Sequence, residues 1–440
     1  MKSKWMSLSL AAVLTASIVG CSSGKTNSSS PSPSASTAPS ASAAPSASAS
    51  PSASPAANAK IDFKGKPLRI GQWWGMQNEL SPEEKERQRK VEEKYNTKIE
   101  YVTVPNAEMA SRLITSSVAG EPFADIMMLE VNWTFPKLVE DGYIRSIDDL
   151  IDLKDPRLAN NKVTMNQGKY NGKQYGVTLP YTESNGMYYN KTLVQKAGMP
   201  DPYELQEKGE WNWDNFLKIC KAVNKDDVNC LADYPVENAT FLMYSNDAAV
   251  NKDNKVAFDS PNALEALQFV SDLYNVHKVV GKDQFGGGKS AFTYGYRWDA
   301  GSYAQSLKDD WGYVFYPKGP KAKDYIVPYQ KMNQWFIPKA VKNAKDVLTA
   351  WLELYEFDVE KGYAIKMQKE EANFKTKENM ATFRKMLDKI QLVNYTSYPG
   401  FKDVYEEAVK NVMAGKGTPA SEMARVKPMA QAAIDVSLKK

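Results

Sequence analysis

The side chains that perform most enzymatic chemistry are scarce in this sequence. It contains a single histidine, His277, and any Ser-His-Asp triad would have to use it. His277 lies in a helical pattern (ALEALQFVSDLYNVHKVV), which favours a packing or surface role. The sequence has no CxxC or HExxH motif and no Cys/His cluster. We therefore expect no catalytic residue, no metal ligand and no cofactor. The remaining possibility is that the protein binds a ligand.

Tryptophans and polar side chains directly follow two predicted strands. Trp73 and Trp74 come after KPLRIGQ, and Asn132 and Trp133 follow ADIMML. Open α/β sheets bind ligands beyond the carboxyl ends of their strands. All four residues are therefore candidate ligand contacts. We expect one of the two adjacent tryptophans to face the core, and packing under the next helix is the alternative role for Trp133.

The elements that must position these residues alternate between strands and helices. Ser81, Pro82 and Glu84 predict a capped helix start, with the helix running to about Tyr95. KIEYVTVP alternates like a strand, AEMASRLITSSVAG has helical spacing, and ADIMML reads as a buried strand. This alternation of strands and helices predicts a parallel sheet in an α/β lobe.

The N-terminus carries a secretion signature. Two lysines precede an apolar segment from about Leu8 to Val19, which is too short to span a membrane. Residues 1–20 therefore read as a signal peptide. The following Cys21 completes IVGC, which resembles a bacterial lipobox, and we expect its thiol to be lipidated. The alternative is an ordinary cleaved signal with an incidental cysteine.

Residues 21–59 form a linker of low complexity. From Ser28 to Ala59 every residue except Thr37 and Asn58 is serine, proline or alanine. An uncharged segment of this kind buries too little apolar surface to offset its ordering entropy, so we expect disorder. A lipidated Cys21 and this linker together predict a body held on the extracellular face of the cell membrane.

The composition of the whole chain is that of a soluble protein. Hydrophobic residues make up 42% and charged residues 25%, and the net charge is +4. No basic patch stands out, which argues against nucleic acid as a partner. The body from residue 60 holds about 380 residues, more than one core usually accommodates, so we expect two lobes.

Two further cysteines, Cys220 and Cys230, lie in the body. An extracellular location permits a disulfide, and their separation is compatible with a small closed loop. Free buried thiols are the alternative, and the residues alone leave both possibilities open.

Several passages of the body resemble the extracellular solute-binding proteins of carbohydrate ABC importers, the maltose-binding-like group. GKQYGVTLPYTESNGMYYNKTLVQKAGMP carries the most specific similarity. The other passages follow in the family's order: AGEPFADIMMLEVNWTFPKLVEDGYIRSIDDLI, WNWDNFLKICKAV, FDSPNALEALQFVSDLY, FGGGKSAFTYGYRWDA, YPKGP and QWFIPKAVKNAKDVLTAWLEL. Together they extend from Lys60 to about Phe357, and only a helical tail follows.

The resemblance implies an α/β, two-lobe periplasmic-binding-protein-like fold of type II, with a hinge and a ligand cleft between the lobes. The order of the matched passages implies that lobe 1 comprises residues 60–180 and 328–362. Lobe 2 would comprise residues 181–327 and 363–440. PYTESNG and VPYQKMNQW would then be hinge segments, and hinge closure around a ligand is a known switching mode.

The resemblance also implies ligand contacts within the matched passages. Glu183 lies six residues before Tyr189, where the family has a ligand-contacting carboxylate, and Trp298 falls where it has a sugar-stacking tryptophan. Further candidates are Arg297 and Asp299 beside Trp298, Tyr181 near Glu183, and Trp335 on the return crossing.

Aromatic rings suit the apolar faces of sugars, and carboxylates and amides suit their hydroxyl groups. The expected function is capture of a mono- or oligosaccharide by a monomer that delivers it to ABC permease subunits without chemistry. The alternatives are a binding protein for a peptide or polyamine, a non-transporting sensor, and a glycan-cleaving enzyme that uses paired carboxylates.

Overall fold

The computed structural model describes residues 61–159, 162–179, 183–355 and 359–438. Its strands, in chain order, are β1 Leu68–Gln72, β2 Ile99–Thr103, β3 Ile126–Glu130, β4 Lys169–Tyr170, β5 Lys173–Gln174, β6 Asn185–Asn190, β7 Asn229–Ala232, β8 Asn251–Lys252, β9 Lys255–Val256, β10 Val280–Gly281, β11 Ser290–Tyr296, β12 Trp311–Val314, β13 Val327–Tyr329, β14 Asn333–Phe336 and β15 Ile390–Leu392.

The α-helices range from single turns to twenty residues. In chain order they are α1 Pro82–Tyr95, α2 Met109–Val118, α3 Val131–Trp133, α4 Pro156–Ala159, α5 Lys162–Gln167, α6 Lys191–Lys196, α7 Pro202–Glu207, α8 Trp213–Val223, α9 Pro235–Tyr244, α10 Pro261–Asn275, α11 Asp299–Ser306, α12 Ala344–Leu354, α13 Val359–Phe374, α14 Lys377–Met386, α15 Phe401–Met413 and α16 Pro419–Leu438. Within the described residues, none of the helices has the length and apolar content needed to cross a membrane.

The first sheet has the strand order β14-β3-β1-β2. Strand β1 pairs in parallel with β2 and β3, as the alternation of strands and helices predicts, and β14 adds an antiparallel edge. The predicted capping box at Ser81 is present: its hydroxyl accepts from the Glu84 amide, and the Glu84 carboxylate accepts from the Ser81 amide. The chain returns to this sheet through β14, and the following α12 packs against α1.

The second sheet has the order β10-β7-β11-β6-β12. Strand β6 runs antiparallel to β11 and β12, whereas β7 pairs in parallel with β10 and β11. Cys220 on α8 and Cys230 on β7 are joined by a disulfide, which decides between the two states that the sequence left open. Both cysteines are fully buried in the core on this side of the molecule.

The C-terminal helices cover the second sheet and its flanking helices. Helix α14 packs against β12, α13 against α11, and α15 against α9, α10 and α16. Between α14 and α15, β15 forms a parallel pair with β13, which leads into the crossing towards the first sheet. The helical pattern predicted around His277 ends earlier than expected: α10 stops at Asn275, and His277 lies just beyond it.

Candidate functional site

A cavity of about 680 Å³ lies between the two sheets. The carboxyl ends of β1, β2 and β3 supply one wall, and the junction of β11 and α11 supplies the opposite wall. Segments that cross between the sheets close the remaining sides. The lining residues are Trp73, Trp74, Glu79, Asn106, Met128, Glu130, Thr164, Thr178, Glu183, Arg297, Trp298, Lys331, Met332, Asn333 and Trp335.

Trp73 and Trp74 form the aromatic part of the wall at the first sheet. Their ring centroids are 5.5 Å apart in an edge-on arrangement. Both are half-buried, and both line the cavity while also packing against buried hydrophobic residues, so the two rings share the cavity and core roles. Trp133 packs against Trp73 at 6.3 Å and does not line the cavity, in line with the packing alternative for this residue.

Trp298 stands on the opposite wall with one side supported by Tyr296. The two rings are stacked, with centroids 4.6 Å apart and planes at 11°. Tyr296 is 5% exposed, whereas Trp298 is 40% exposed, an unusual exposure for so large an apolar side chain. The Lys331 Nζ lies 5.0 Å from the Tyr296 centroid and 5.8 Å from the Trp298 centroid, within the range of a cation–π interaction.

Carboxylates are distributed around the cavity. Glu130 ends β3, and burial raises the pKa of its carboxyl to about 6. Glu183 accepts a hydrogen bond of 2.5 Å from the Tyr329 hydroxyl, which joins two of the segments that run between the sheets. Glu79 lies on the exposed rim.

Arg297 and Asp299, which flank Trp298, are engaged by other parts of the protein. Arg297 lines the cavity and forms an ion pair with Glu370 on α13, which is 7% exposed. The Asp299 carboxylate accepts a hydrogen bond of 2.8 Å from the Tyr296 amide at the start of α11, and burial raises its pKa. Asp299 is not among the lining residues, so its contacts fix the turn that presents Trp298.

Asn132, a predicted ligand contact, is buried away from this cavity. It is 3% exposed, and its Nδ2 donates to Gln330 O at 3.0 Å, Val393 O at 3.1 Å and Thr396 Oγ1 at 2.9 Å. These acceptors belong to the crossing before β14 and to the segment after β15. The amide therefore ties the end of β3 to two distant segments.

The structure brings six of the predicted contacts together and leaves three others outside the cavity lining. The six are Trp73, Trp74, Glu183, Arg297, Trp298 and Trp335. Trp335 is 2% exposed and packs on Trp351 at 5.5 Å, so most of its ring belongs to the core. Asn132, Trp133 and Asp299 lie behind the lining, and Tyr181 is outside the described residues, as are Cys21 and the linker.

Among the residues in or beside the cavity that were not predicted from the sequence, three bear most directly on its chemistry. Glu130 directly follows the predicted strand ADIMML, so the strand-end argument could have found it. Tyr296 ends β11 two residues before Trp298, and the turn that leads into α11 stacks the two rings. Lys331 belongs to an irregular crossing, where no periodic signal marks a side chain.

The arrangement suits a ligand with apolar faces and many hydroxyl groups. Aromatic rings stand on two opposite walls, and carboxylates, amides and hydroxyls fill the spaces between them. No group of His, Cys, Asp and Glu side chains in the described ranges could hold a metal ion.

Solved structures with similar folds cover most of the chain. An ABC substrate-binding protein from Listeria monocytogenes in complex with cycloalternan is 17% identical, with a TM-score of 0.64 over 85% of this chain and 99% of that one. UgpB from Mycobacterium tuberculosis with glycerophosphocholine has 16% identity and a TM-score of 0.66, covering 85% and 99%. The Thermus thermophilus maltotriose-binding protein with maltotriose has 19% identity and a TM-score of 0.58, covering 86% and 100%. No curated protein sequence matched the chain.

These similarities show the fold, which is the two-lobe α/β fold of type II periplasmic binding proteins, as expected. The sheets described above are the centres of the two lobes. The family model described as bacterial extracellular solute-binding protein matches residues 87–353, which is more than half of the chain. The chain therefore belongs to the bacterial extracellular solute-binding proteins.

Proposed function

We propose that this protein is the substrate-binding lipoprotein of an ABC importer, which captures a mono- or oligosaccharide and delivers it to a membrane permease. The exposed indole of Trp298 carries this proposal, because it faces a cavity whose opposite wall holds Trp73 and Trp74. Tryptophans on both walls of an interlobe cavity would cover the two apolar faces of a sugar ring.

The polar lining favours a neutral saccharide. Glu79, Glu130 and Glu183 supply carboxylates, while Lys331 and Arg297 supply cations, and Arg297 is already paired with Glu370. Carboxylates and carboxamides accept and donate the hydrogen bonds that sugar hydroxyls need, and an unmatched buried partner costs about 1–3 kcal/mol. A uronic acid would meet repulsion from the excess carboxylates.

The structural relatives support a saccharide ligand without identifying it. Two of them are in complex with cycloalternan and with maltotriose. UgpB from Mycobacterium tuberculosis is bound to glycerophosphocholine, which makes this compound a useful non-sugar probe.

Capture would proceed by closure of lobe 1 (residues 60–180 and 328–362) on lobe 2 (residues 181–327 and 363–440). The hydrogen bond between Glu183 and Tyr329 joins the two hinge segments that we infer from this division. Anchoring through lipidated Cys21 and the linker of residues 21–59 would keep the binding body near its permease at the cell surface.

A thermal-shift screen of residues 60–440 tests the saccharide class. The library contains neutral mono- and oligosaccharides, with uronic acids, amino acids, peptides, polyamines and glycerophosphocholine as comparison sets. A ligand at about 100 times its Kd adds about 2.7 kcal/mol of stability, which is an easily measured shift.

The expected outcome is stabilisation by one class of neutral saccharide and a clearly smaller shift in Trp298→Ala. Trp298→Phe is the matched control, since it retains a ring and should retain part of the affinity. If only peptides, polyamines or glycerophosphocholine stabilised the protein, the saccharide assignment would be overturned, although the assignment of the fold would stand.

A further inference from the structure

We propose that a second cavity, formed by the segments that follow β3 and β15 and by helix α5, binds a small neutral polyol no larger than a single sugar ring. Its volume is about 210 Å³, less than a third of the 680 Å³ of the cavity that Trp298 lines. In the described part of the chain, the two cavities have no lining residue in common. This site is therefore separate from the proposed saccharide site, and the inference does not depend on that function.

Neutral polar side chains dominate the hydrogen-bonding surface of the second cavity. Five carboxamides and one hydroxyl line it: Asn132, Asn166, Gln167, Asn254, Asn394 and Ser397. Lys169, which is exposed, is the one charged side chain among the described lining residues. Carboxamides and hydroxyls both donate and accept hydrogen bonds, as the hydroxyl groups of a polyol do. The lining therefore favours neutral hydroxyl groups over a charged ligand.

One buried atom of this lining has a hydrogen-bonding capacity that the described residues do not use. Asn132 is 3% exposed, and three hydrogen bonds from its Nδ2 to Gln330, Val393 and Thr396 fix the plane of its amide. The Asn132 Oδ1 is buried, and no group in the described ranges donates to it. A buried acceptor without a donor is costly, so a hydroxyl group that entered the cavity and donated to this oxygen would gain a preorganised partner.

Other polar side chains of the lining are also uncommitted. The side chains of Asn166, Asn394 and Ser397 form no hydrogen bond within the described part of the chain. Asn166 belongs to α5, whereas Asn394 and Ser397 belong to the segment after β15, so these groups approach the cavity from two different elements. Asn254 differs from them, because its Oδ1 accepts from the Tyr398 hydroxyl at 3.1 Å. A ligand could therefore bond to several of these groups without breaking a contact of the protein.

Aromatic rings supply the apolar part of the lining. Phe135 and Tyr170 are stacked, with centroids 5.5 Å apart and planes at 14°, and Tyr398 also lines the cavity. Phe135 and Tyr398 are 8% and 4% exposed, so their positions are fixed by packing. Such rings suit the C–H face of a cyclic polyol, while the carboxamides bind its hydroxyl groups.

The size of the second cavity limits the ligand. Its volume is several times the roughly 30 Å³ that one water molecule occupies in the liquid. It also lies below the range of about 300–1,000 Å³ that is typical of pockets for drug-sized ligands. We therefore expect a ligand of one ring at most, and no oligosaccharide.

The two cavities lie on different sides of the crossing that leads into β14. The Gln330 carbonyl accepts from Asn132, which lines the second cavity, whereas the next residue, Lys331, places its Nζ 5.8 Å from the Trp298 centroid in the other cavity. A ligand in one cavity would therefore not occupy the other, and the two sites can be tested separately.

The test is a ligand-observed NMR titration of the full chain with myo-inositol and glucose as neutral single-ring polyols, and with glucuronate as the anionic comparison. Asn166→Leu and Asn394→Leu each remove one carboxamide while keeping a side chain of similar size. Neither carboxamide has a hydrogen bond to the described residues, so both variants should fold. We expect each to weaken the binding of the neutral polyol about two- to tenfold for each hydrogen bond lost, and the double variant to bind more weakly than either.

Two further variants separate the second cavity from the rest of the surface. Trp298→Ala changes the other cavity, and Asn343→Ala changes an exposed asparagine that lines neither, so both should retain the wild-type Kd for the polyol. Weaker binding in Trp298→Ala together with an unchanged Kd in Asn166→Leu and Asn394→Leu would place the polyol in the other cavity and overturn the proposal. If neither neutral polyol bound, the second cavity would hold water only and the proposal would fail. Binding of glucuronate alone would overturn the assignment to neutral ligands.

Discussion

Tyr296 and Trp298 are stacked at 4.6 Å, and the buried tyrosine holds the exposed tryptophan at the wall of the cavity. The Tyr188 hydroxyl donates to the Tyr296 carbonyl at 2.8 Å, and the Tyr329 ring meets the Tyr296 ring edge-on at 5.5 Å. Trp298 is therefore preorganised, which lowers the entropy cost of binding a ligand against it.

Trp298→Ala should weaken saccharide binding without unfolding the protein. An aromatic contact contributes about 0.5–1.5 kcal/mol beyond its buried area, so we expect a loss in affinity of about tenfold. Isothermal titration with the saccharide found in the screen measures the change. Because the ring is partly exposed, the Tm of the free protein should change little, and a large drop in Tm would point to a structural role instead.

Asn132→Ala should destabilise the protein strongly. Its amide donates to the buried Val393 carbonyl, to the part-buried Gln330 carbonyl and to a threonine hydroxyl, and a buried acceptor left without a donor costs about 1–3 kcal/mol. We expect a loss of about 2–4 kcal/mol in urea unfolding. Asn166→Ala, at an exposed asparagine, should stay within about 0.5 kcal/mol of wild type. Equal effects of the two variants would contradict the structural role of Asn132.

Tyr329→Phe should loosen the hinge contact with Glu183. The variant removes only the hydroxyl that donates to the carboxylate, and a hydrogen bond to a charged group contributes about 1.5–3 kcal/mol. Urea unfolding should show a loss of this order. Tyr303→Phe is the matched control, because no hydrogen bond of that hydroxyl occurs in the described residues, and it should behave like wild type.

Glu130→Gln should stabilise the protein above about pH 6. The folded-state pKa of Glu130 is raised from 4.5 to about 6, so its contribution to stability is complete below about pH 4.5 and is lost as the pH rises through 6. This shift in pKa corresponds to a loss of about 2 kcal/mol in the free energy of unfolding when Glu130 ionises. Glutamine does not ionise, so the variant avoids this loss. Unfolding of wild type and variant at several pH values should give curves that separate with rising pH. Glu210→Gln, at an exposed glutamate, should give parallel curves, and parallel curves for Glu130→Gln would refute this assignment.

Removal of the disulfide by the double variant Cys220→Ala/Cys230→Ala should lower stability. The bond closes a loop with a sequence separation of 10, for which the chain-entropy relation gives about 3 kcal/mol. Urea unfolding of the variant measures the lost free energy. Thiol counting on the denatured but unreduced wild type tests the bond, and free thiols at both Cys220 and Cys230 would contradict it.

The sequence by itself determined the elements and the family. The capping box at Ser81 and the alternating strands and helices of the first sheet depend on neighbours close in the chain, which periodicity records. The same local logic placed Trp73 and Trp74 correctly at the end of a strand, whereas the family resemblance pointed to Trp298. The family was indicated separately, by the resemblance of the passages up to about Phe357.

The tertiary structure decided which of the strand-end residues face the cavity. Asn132 follows a strand just as Trp73 does, yet its amide turns to Gln330, Val393 and Thr396, three partners about two hundred residues or more away along the chain. Lys331 meets Tyr296 and Trp298 only because an irregular crossing carries it to the second sheet. Side-chain direction in such segments depends on long-range contacts that leave no period in the sequence, so only the folded chain reveals it.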